Sequence, residues 1–136
     1  MSSLDTIATL QKNGVIAINN LGQFLQGIYA LIRGTPVSPV AATTSTSTLY
    51  TVPAGSQFLL KDLEICNTTA VAATFTIYVV PSGGTAAQSN ALFYNAPING
   101  NTSVQWSGEL ALAAGTTIQA SASVTTVSFK LSGSAQ

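Results

Sequence analysis

The sequence predicts a mainly β protein: an antiparallel β-sandwich or jelly-roll-like domain preceded by one N-terminal α-helix. Over residues 3–33 apolar residues recur every three or four positions, which is the period of a helix. From residue 49 onward they alternate with polar residues, and turn signals return roughly every 8 to 12 residues, as in antiparallel sandwiches. We therefore predict a helical arm at 1–34, a linker at 35–48 and a β-sandwich domain at 49–136.

The helical arm carries a seam of aliphatic residues. Written as heptads, seven of its nine a and d positions are aliphatic, and only Gln11 and Gly14 interrupt them. The flanks hold Asn and Gln but no charge between Lys12 and Arg33, which favours a helix surrounded by other protein. A transmembrane span over 14–32 is the competing interpretation, but its four amides leave no continuous apolar run of about 20 residues. We predict that the seam residues form an oligomer interface: Leu4, Ile7, Ile18, Leu21, Leu25, Ile28 and Ile32.

The segment after the helix is predicted to be a polar spacer. Pro36 and Pro39 favour an extended and fairly stiff chain. The run of Thr and Ser at 43–48 contains no apolar residue that could enter a core.

The remaining chain reads as short strands separated by turns. In the segment 58–66 we place Leu59 on the core face, and Phe58 and Leu60 on the other face, where they need covering. The predicted strands are 49–52, 58–66, 74–80, 91–94, 104–106, 110–112, 117–122 and 125–131. The predicted core residues are Leu63, Ile65, Phe75, Ile77, Val79, Leu110, Leu112, Ile118, Val127, Phe129 and Leu131.

Charged residues make up 6% of the chain, against about 25% in typical soluble domains. This content suits a protein held in a permanent assembly, although a low-charge secreted domain would also fit. The net charge is zero, and binding to nucleic acid is excluded because it needs clustered Lys and Arg. The single cysteine, Cys66, cannot form an intramolecular disulfide, which favours synthesis in a reducing compartment.

Little in the sequence indicates chemistry. Histidine, the commonest general base, is absent. Asp62 and Glu64 lie two apart on one strand, where they serve solubility or a partner better than catalysis, since glycosidase carboxylates come from opposing walls of a cleft. The glycines at 83–84 lack the lysine and helix of a phosphate-binding loop. We expect no catalytic residue, no metal and no cofactor. An aromatic platform for a sugar is the remaining possibility, formed by Tyr78, Phe93, Tyr94 and Trp106.

Two stretches of the chain resemble small virion proteins of tailed bacteriophages. The first comprises YTVPAG at 50–55, LEICNT at 63–68 and TIYV at 76–79, and the second is WSGELALAAGTTI at 106–118. The resemblance covers residues 49–131, and the helix at 4–32 is similar to the arms by which phage appendages trimerise or plug into the particle. It implies a β-sandwich that belongs to a capsid decoration, fibre or tail component, often trimeric, with no catalytic residues.

We therefore expect a non-enzymatic virion structural protein of a tailed bacteriophage. The expected partners are two further copies in a homotrimer and other virion proteins of the capsid, portal or tail. The expected location is the virion, assembled in the cytoplasm of the bacterial host. The first alternative is a carbohydrate- or receptor-binding sandwich on a trimeric stalk, which would use loops 81–90 and 95–103 near Trp106. An enzyme that uses the Asp62–Glu64 pair and a membrane-active helix with a carrier domain are the other two.

Overall fold

The computed structural model describes residues 3–32, 35–36 and 39–135, and within the helix it describes the side chains of residues 8–25. The chain forms two compact units, a helical unit and a β unit. The helix α1 spans Ser3–Ile32 and has 30 residues, so it is roughly 45 Å long at 1.5 Å per residue. The helix followed by a mainly β unit confirms the predicted fold class.

Nine strands lie in the described part of the β unit, and they form two antiparallel sheets. Sheet I has the order β1-β9-β4-β7, with β2 also on β9, and sheet II has the order β3-β8-β5-β6. The strands are β1 (Thr35–Pro36), β2 (Val40–Ala41), β3 (Ser47–Thr51), β4 (Phe58–Asn67), β5 (Ala73–Val80), β6 (Ala91–Ile98), β7 (Ser103–Leu112), β8 (Thr117–Ala122) and β9 (Val127–Ala135).

The strand pairing is that of a jelly roll. Four antiparallel strand pairs are nested one inside the next and together make one long ribbon. The pairs are β5 with β6, β4 with β7, β3 with β8, and β2 with β9. The ribbon folds over on itself, so that β4 also pairs with β9 and β5 also pairs with β8. The five-stranded sheet I and the four-stranded sheet II then close over one core, as in double-sheet jelly rolls.

The core lies between the two sheets and consists of alternating strand residues. Nine of the eleven residues predicted for it are buried, while Val79 and Leu110 are half-buried and pack against it. Phe75 lies near its centre, with ring centroids 5.3 Å from Phe93 and 6.4 Å from Phe129. These tilted and edge-on ring contacts add to the free energy gained from buried area.

The facing predicted for the first half of β4 is wrong. Phe58 and Leu60 are 1% and 0% exposed, so both belong to the core and neither needs covering. The register of β4 against β9 shifts between Leu60 and Asp62, which is a β-bulge at Lys61. Because of the extra residue, the apolar side chains before and after the bulge point to the same face of the sheet. Simple alternation without a bulge would put them on opposite faces.

Part of the predicted linker belongs to the sheets. Val40 and Ala41 pair with Phe129 and Ser128 of β9, and Ala42 is 4% exposed. Two of the later strands are also longer than predicted: β6 continues to Ile98 through residues expected to form a loop, and β7 runs unbroken from 103 to 112.

Candidate functional site

The helix exposes the seam that the heptad pattern identifies. Ile18 is 69% exposed, and Leu21 and Leu25 are each 55% exposed. Every residue in the range 8–25 is exposed except Gly22, which is half-buried. Burying a Leu or Ile side chain from water contributes about 1.5–3 kcal/mol of favourable free energy. Covering this row of side chains with another apolar surface would therefore favour association. Four of the predicted seam residues, Leu4, Ile7, Ile28 and Ile32, have side chains outside the described part of the structure.

The exposed apolar surface is wider than a two-position seam. Leu10 and Phe24 occupy heptad g positions and are 65% and 64% exposed, and Val15 occupies an e position and is 57% exposed. They lie beside the a and d positions on the helix surface. A stripe that includes e and g is broader than the narrow seam of a two-stranded coiled coil. Its width favours a helix surrounded by more than one neighbour.

The carboxylate pair on β4 is part of an ordinary strand surface. Asp62 is exposed and accepts a hydrogen bond of 2.8 Å from the Ser107 hydroxyl. Glu64 lies directly opposite Lys130 on β9. No group of three or more His, Cys, Asp or Glu side chains capable of holding a metal ion occurs among the described residues. The arrangement is a solvated sheet surface on which charges of opposite sign lie on neighbouring strands.

The aromatic residues do not form an exposed platform. Trp106 is on β7 in sheet I, half-buried and packed against the core, and Phe93 on β6 in sheet II packs against the same core. Tyr94 is 48% exposed, and its hydroxyl accepts a hydrogen bond of 2.8 Å from Gln88. Tyr78 is half-buried on β5. The four residues therefore do not form the sugar platform that was the alternative interpretation of their pattern.

A polar hollow of about 230 Å³ lies at sheet II and was not predicted. Thr76 is only 5% exposed there, and its hydroxyl oxygen accepts a hydrogen bond of 3.0 Å from the Asn95 backbone N–H. Asn95 itself has a left-handed backbone, with φ of 46°. The one sequence signal for the hollow is the alternation of hydroxyl residues on two paired strands. Its polar lining consists of Thr44, Thr74, Thr76, Asn95, Ser121 and Ser123.

The hollow offers hydrogen bonds without charge. Its hydroxyl and amide groups can both donate and accept, and it contains no ionisable side chain. Such a lining suits a neutral, hydroxylated ligand better than an anion or a cation. The only aromatic residue at the hollow is Phe75, which is 1% exposed, so no ring is free to stack on a sugar.

The chain has a distant match among solved structures. No protein-family model and no curated protein sequence matches the chain. A chain in a structure of infectious bursal disease virus, Gx strain, superposes with a TM-score of 0.35 and 14% sequence identity. The match covers 75% of this chain and 29% of that chain. Among the described residues, no helix combines the length and the apolar character needed to cross a membrane.

Proposed function

We propose that this chain is a non-enzymatic structural protein of a tailed-bacteriophage virion, which assembles as a homotrimer through its helix and its sandwich. The observation that carries the proposal is the exposed apolar stripe of α1, centred on Ile18, Leu21 and Leu25. Isolated helices gain little stability from their own sequence, and in proteins they depend on packing of their apolar face. A helix of 30 residues with this face in water therefore needs neighbours, and its heptad spacing fits further copies of itself.

Resemblance and composition support a place in a virion. The low charge content suits a surface that stays covered, and the resemblance to small phage virion proteins implies a capsid decoration, fibre or tail component. The partners would then be sister chains together with capsid, portal or tail proteins, and the location would be the virion, after assembly in the host cytoplasm. Jelly rolls also serve as viral capsid domains, and this fold analogy agrees with the proposed place in a virion.

The experiment that tests the assembly is the solution mass of the full chain, measured by light scattering after gel filtration. The chain has a mass of 13.9 kDa, so a trimer would have about 42 kDa. The double substitution Leu21→Asp and Leu25→Asp should give the monomer mass, because a buried carboxylate without a partner is strongly unfavourable. The double substitution Asn20→Asp and Gln23→Asp adds the same two charges to the opposite helix face and should leave the trimer intact. An unchanged mass in the seam variant would contradict the proposal.

The alternative function is carbohydrate or receptor binding by the sandwich, and the polar hollow at sheet II is the observation in its favour. Lectin domains also use the jelly roll, and the uncharged lining of the hollow suits sugar hydroxyls. Titration of neutral monosaccharides into the full chain, followed by NMR, distinguishes the two functions. Binding that Ser121→Val abolishes would support the alternative, and the absence of any shift at Thr74, Thr76 and Ser121 would remove it.

A further inference from the structure

All the charge of the β-sandwich lies on one of its two sheets. Lys61, Asp62 and Glu64 are on β4, Glu109 is on β7 and Lys130 is on β9, and these three strands belong to sheet I. Sheet II contains no charged residue, and neither do the loops between residues 43 and 126. Ordinary soluble surfaces are about 25–35% charged, so a whole sheet without any charge is unusual.

The outer surface of sheet II is polar but uncharged. On β5 and β8 the residues facing out alternate with buried core residues such as Phe75, Ile77 and Ala120. Depletion of charge is what distinguishes the centre of a protein interface from the rest of a protein surface. We call this surface the neutral face and define it by Thr74, Thr76 and Tyr78 of β5 and Thr117, Gln119 and Ser121 of β8.

We propose that the neutral face is where the sandwiches of sister chains meet in the assembly. This inference rests on the proposed function, since it requires that copies of the chain associate. Residues next to a rotation axis face their own copies, so a charge placed there faces an identical charge. Asp62, Glu64 and Lys130 would create that repulsion if sheet I faced the axis, whereas the neutral face creates none.

The size of the neutral face explains why the helix is needed. Two strands spaced about 4.8 Å apart and about six residues long cover roughly 200 Å². A stable interface buries about 800 Å² on each partner, so this face is too small to hold copies together alone. Copies already joined by their helices meet at a high effective concentration, at which a weak contact forms. The sandwich contact should therefore follow from the helix contact.

Site-specific cross-linking of the full chain tests this contact. The chain has one cysteine, Cys66, so the Cys66→Ser variant is a background without thiols. Ser121→Cys and Ser128→Cys then make a matched pair, because both serines are half-buried, face outward and lie on interior strands. Ser121 is on β8 of sheet II, and Ser128 is on β9 of sheet I. With a short bismaleimide, Ser121→Cys should link most chains to a sister chain, and Ser128→Cys should give only background linkage.

The outcomes separate this inference from the proposed function. Two outcomes would overturn the neutral-face contact alone. In the first, Ser128→Cys is cross-linked as much as Ser121→Cys or more. In the second, neither variant is cross-linked although the parent is multimeric by light scattering. A monomeric parent would contradict the proposed function and this contact with it.

A second pair of variants tests the same contact without cross-linking. Thr74→Lys puts a cation on the neutral face, and Gln105→Lys puts one on the outer surface of β7 in sheet I; both residues are exposed strand residues. Thr74→Lys should raise the concentration at which the full chain dissociates at least about tenfold, because each copy would then place a cation beside the cations of its neighbours. Gln105→Lys should leave that concentration unchanged. Equal effects of the two substitutions would overturn the inference.

Discussion

Phe75 in the sandwich is 1% exposed, whereas Phe24 in the helix is 64% exposed. The same contrast holds for the aliphatic residues, since Ile65 and Ile77 are fully buried and Ile18 is 69% exposed. The sandwich thus buries most of its large apolar residues within one chain, whereas those described in the helix are exposed. Large exposed apolar patches are uncommon on proteins that act alone, and they mark surfaces that other molecules cover. The sandwich therefore has a core of its own, and the proposed function assigns the exposed face of the helix to contacts with sister chains.

The largest expected effect is on the free energy of unfolding, and it is measured by replacing one phenylalanine in each region. Phe75→Ala removes a ring that packs against Phe93 and Phe129, and it should lower the free energy of unfolding of the sandwich by about 3–5 kcal/mol. Phe24→Ala removes an exposed ring and should change that free energy by less than about 0.5 kcal/mol. Urea denaturation followed by the fluorescence of Trp106, the single tryptophan, measures both variants. A comparable loss in the two variants would break the contrast between the regions.

A smaller effect is expected from adding one methyl group at a glycine in each region. A Cβ at Gly133 of β9 would lie 2.5 Å from the Phe58 ring and would also meet the carbonyl oxygen of Leu59. A Cβ at Gly14 of the helix would have no atom within 4 Å. Gly133→Ala should therefore destabilise the sandwich by about 1–3 kcal/mol, because an overfilled core forces its neighbours to move. Gly14→Ala should stabilise the helix by up to about 1 kcal/mol through its better helix propensity.

Circular dichroism during thermal unfolding distinguishes these two glycine variants, because helix and sheet signals can be followed separately. If Gly133→Ala left the sandwich transition unchanged, the close packing of Phe58 over β9 would be contradicted. If Gly14→Ala weakened the assembly instead of strengthening the helix, a neighbour would lie directly against that position.

Period-two alternation was enough to predict the central strands. Phe75, Ile77, Phe129 and Leu131 are buried as predicted, because a sheet with one face on a core leaves little choice of register. The gap predicted between the strands 110–112 and 117–122 is also present, and in it Gly115 adopts a φ of 81° that suits a residue without a side chain.

The orientation of Phe58 and Leu60 could not be predicted because a bulge leaves no local pattern. The shift at Lys61 depends on packing between strands distant in sequence, where the Phe58 ring takes the space that a side chain at residue 133 would fill. The pairing of Val40 with Phe129 likewise depends on residues about 90 positions apart. The polar hollow joins residues of three strands and the segment before β3, so only the folded chain assembles it.

The charge asymmetry between the sheets was visible only once the strand order was known. The sequence shows that Asp62 and Glu64 share a strand, but it does not show that Glu109 and Lys130 lie on the neighbouring strands of the same sheet. Jelly-roll nesting brings β7 and β9 to either side of β4 and so gathers the five charges. The helix seam, in contrast, needs no tertiary information, because heptad spacing is local.

The measurement that tests the central claim most directly compares two isoleucines of α1 that lie two residues apart. Ile18 is on the seam at 69% exposed, and Ile16 is off the seam at 48% exposed. Sedimentation equilibrium of the full chain should show a monomer for Ile18→Asp and an intact trimer for Ile16→Asp, because only the first carboxylate would be buried between copies. A trimer in both variants, or a monomer in both, would contradict the claim that this face of the helix holds the chains together.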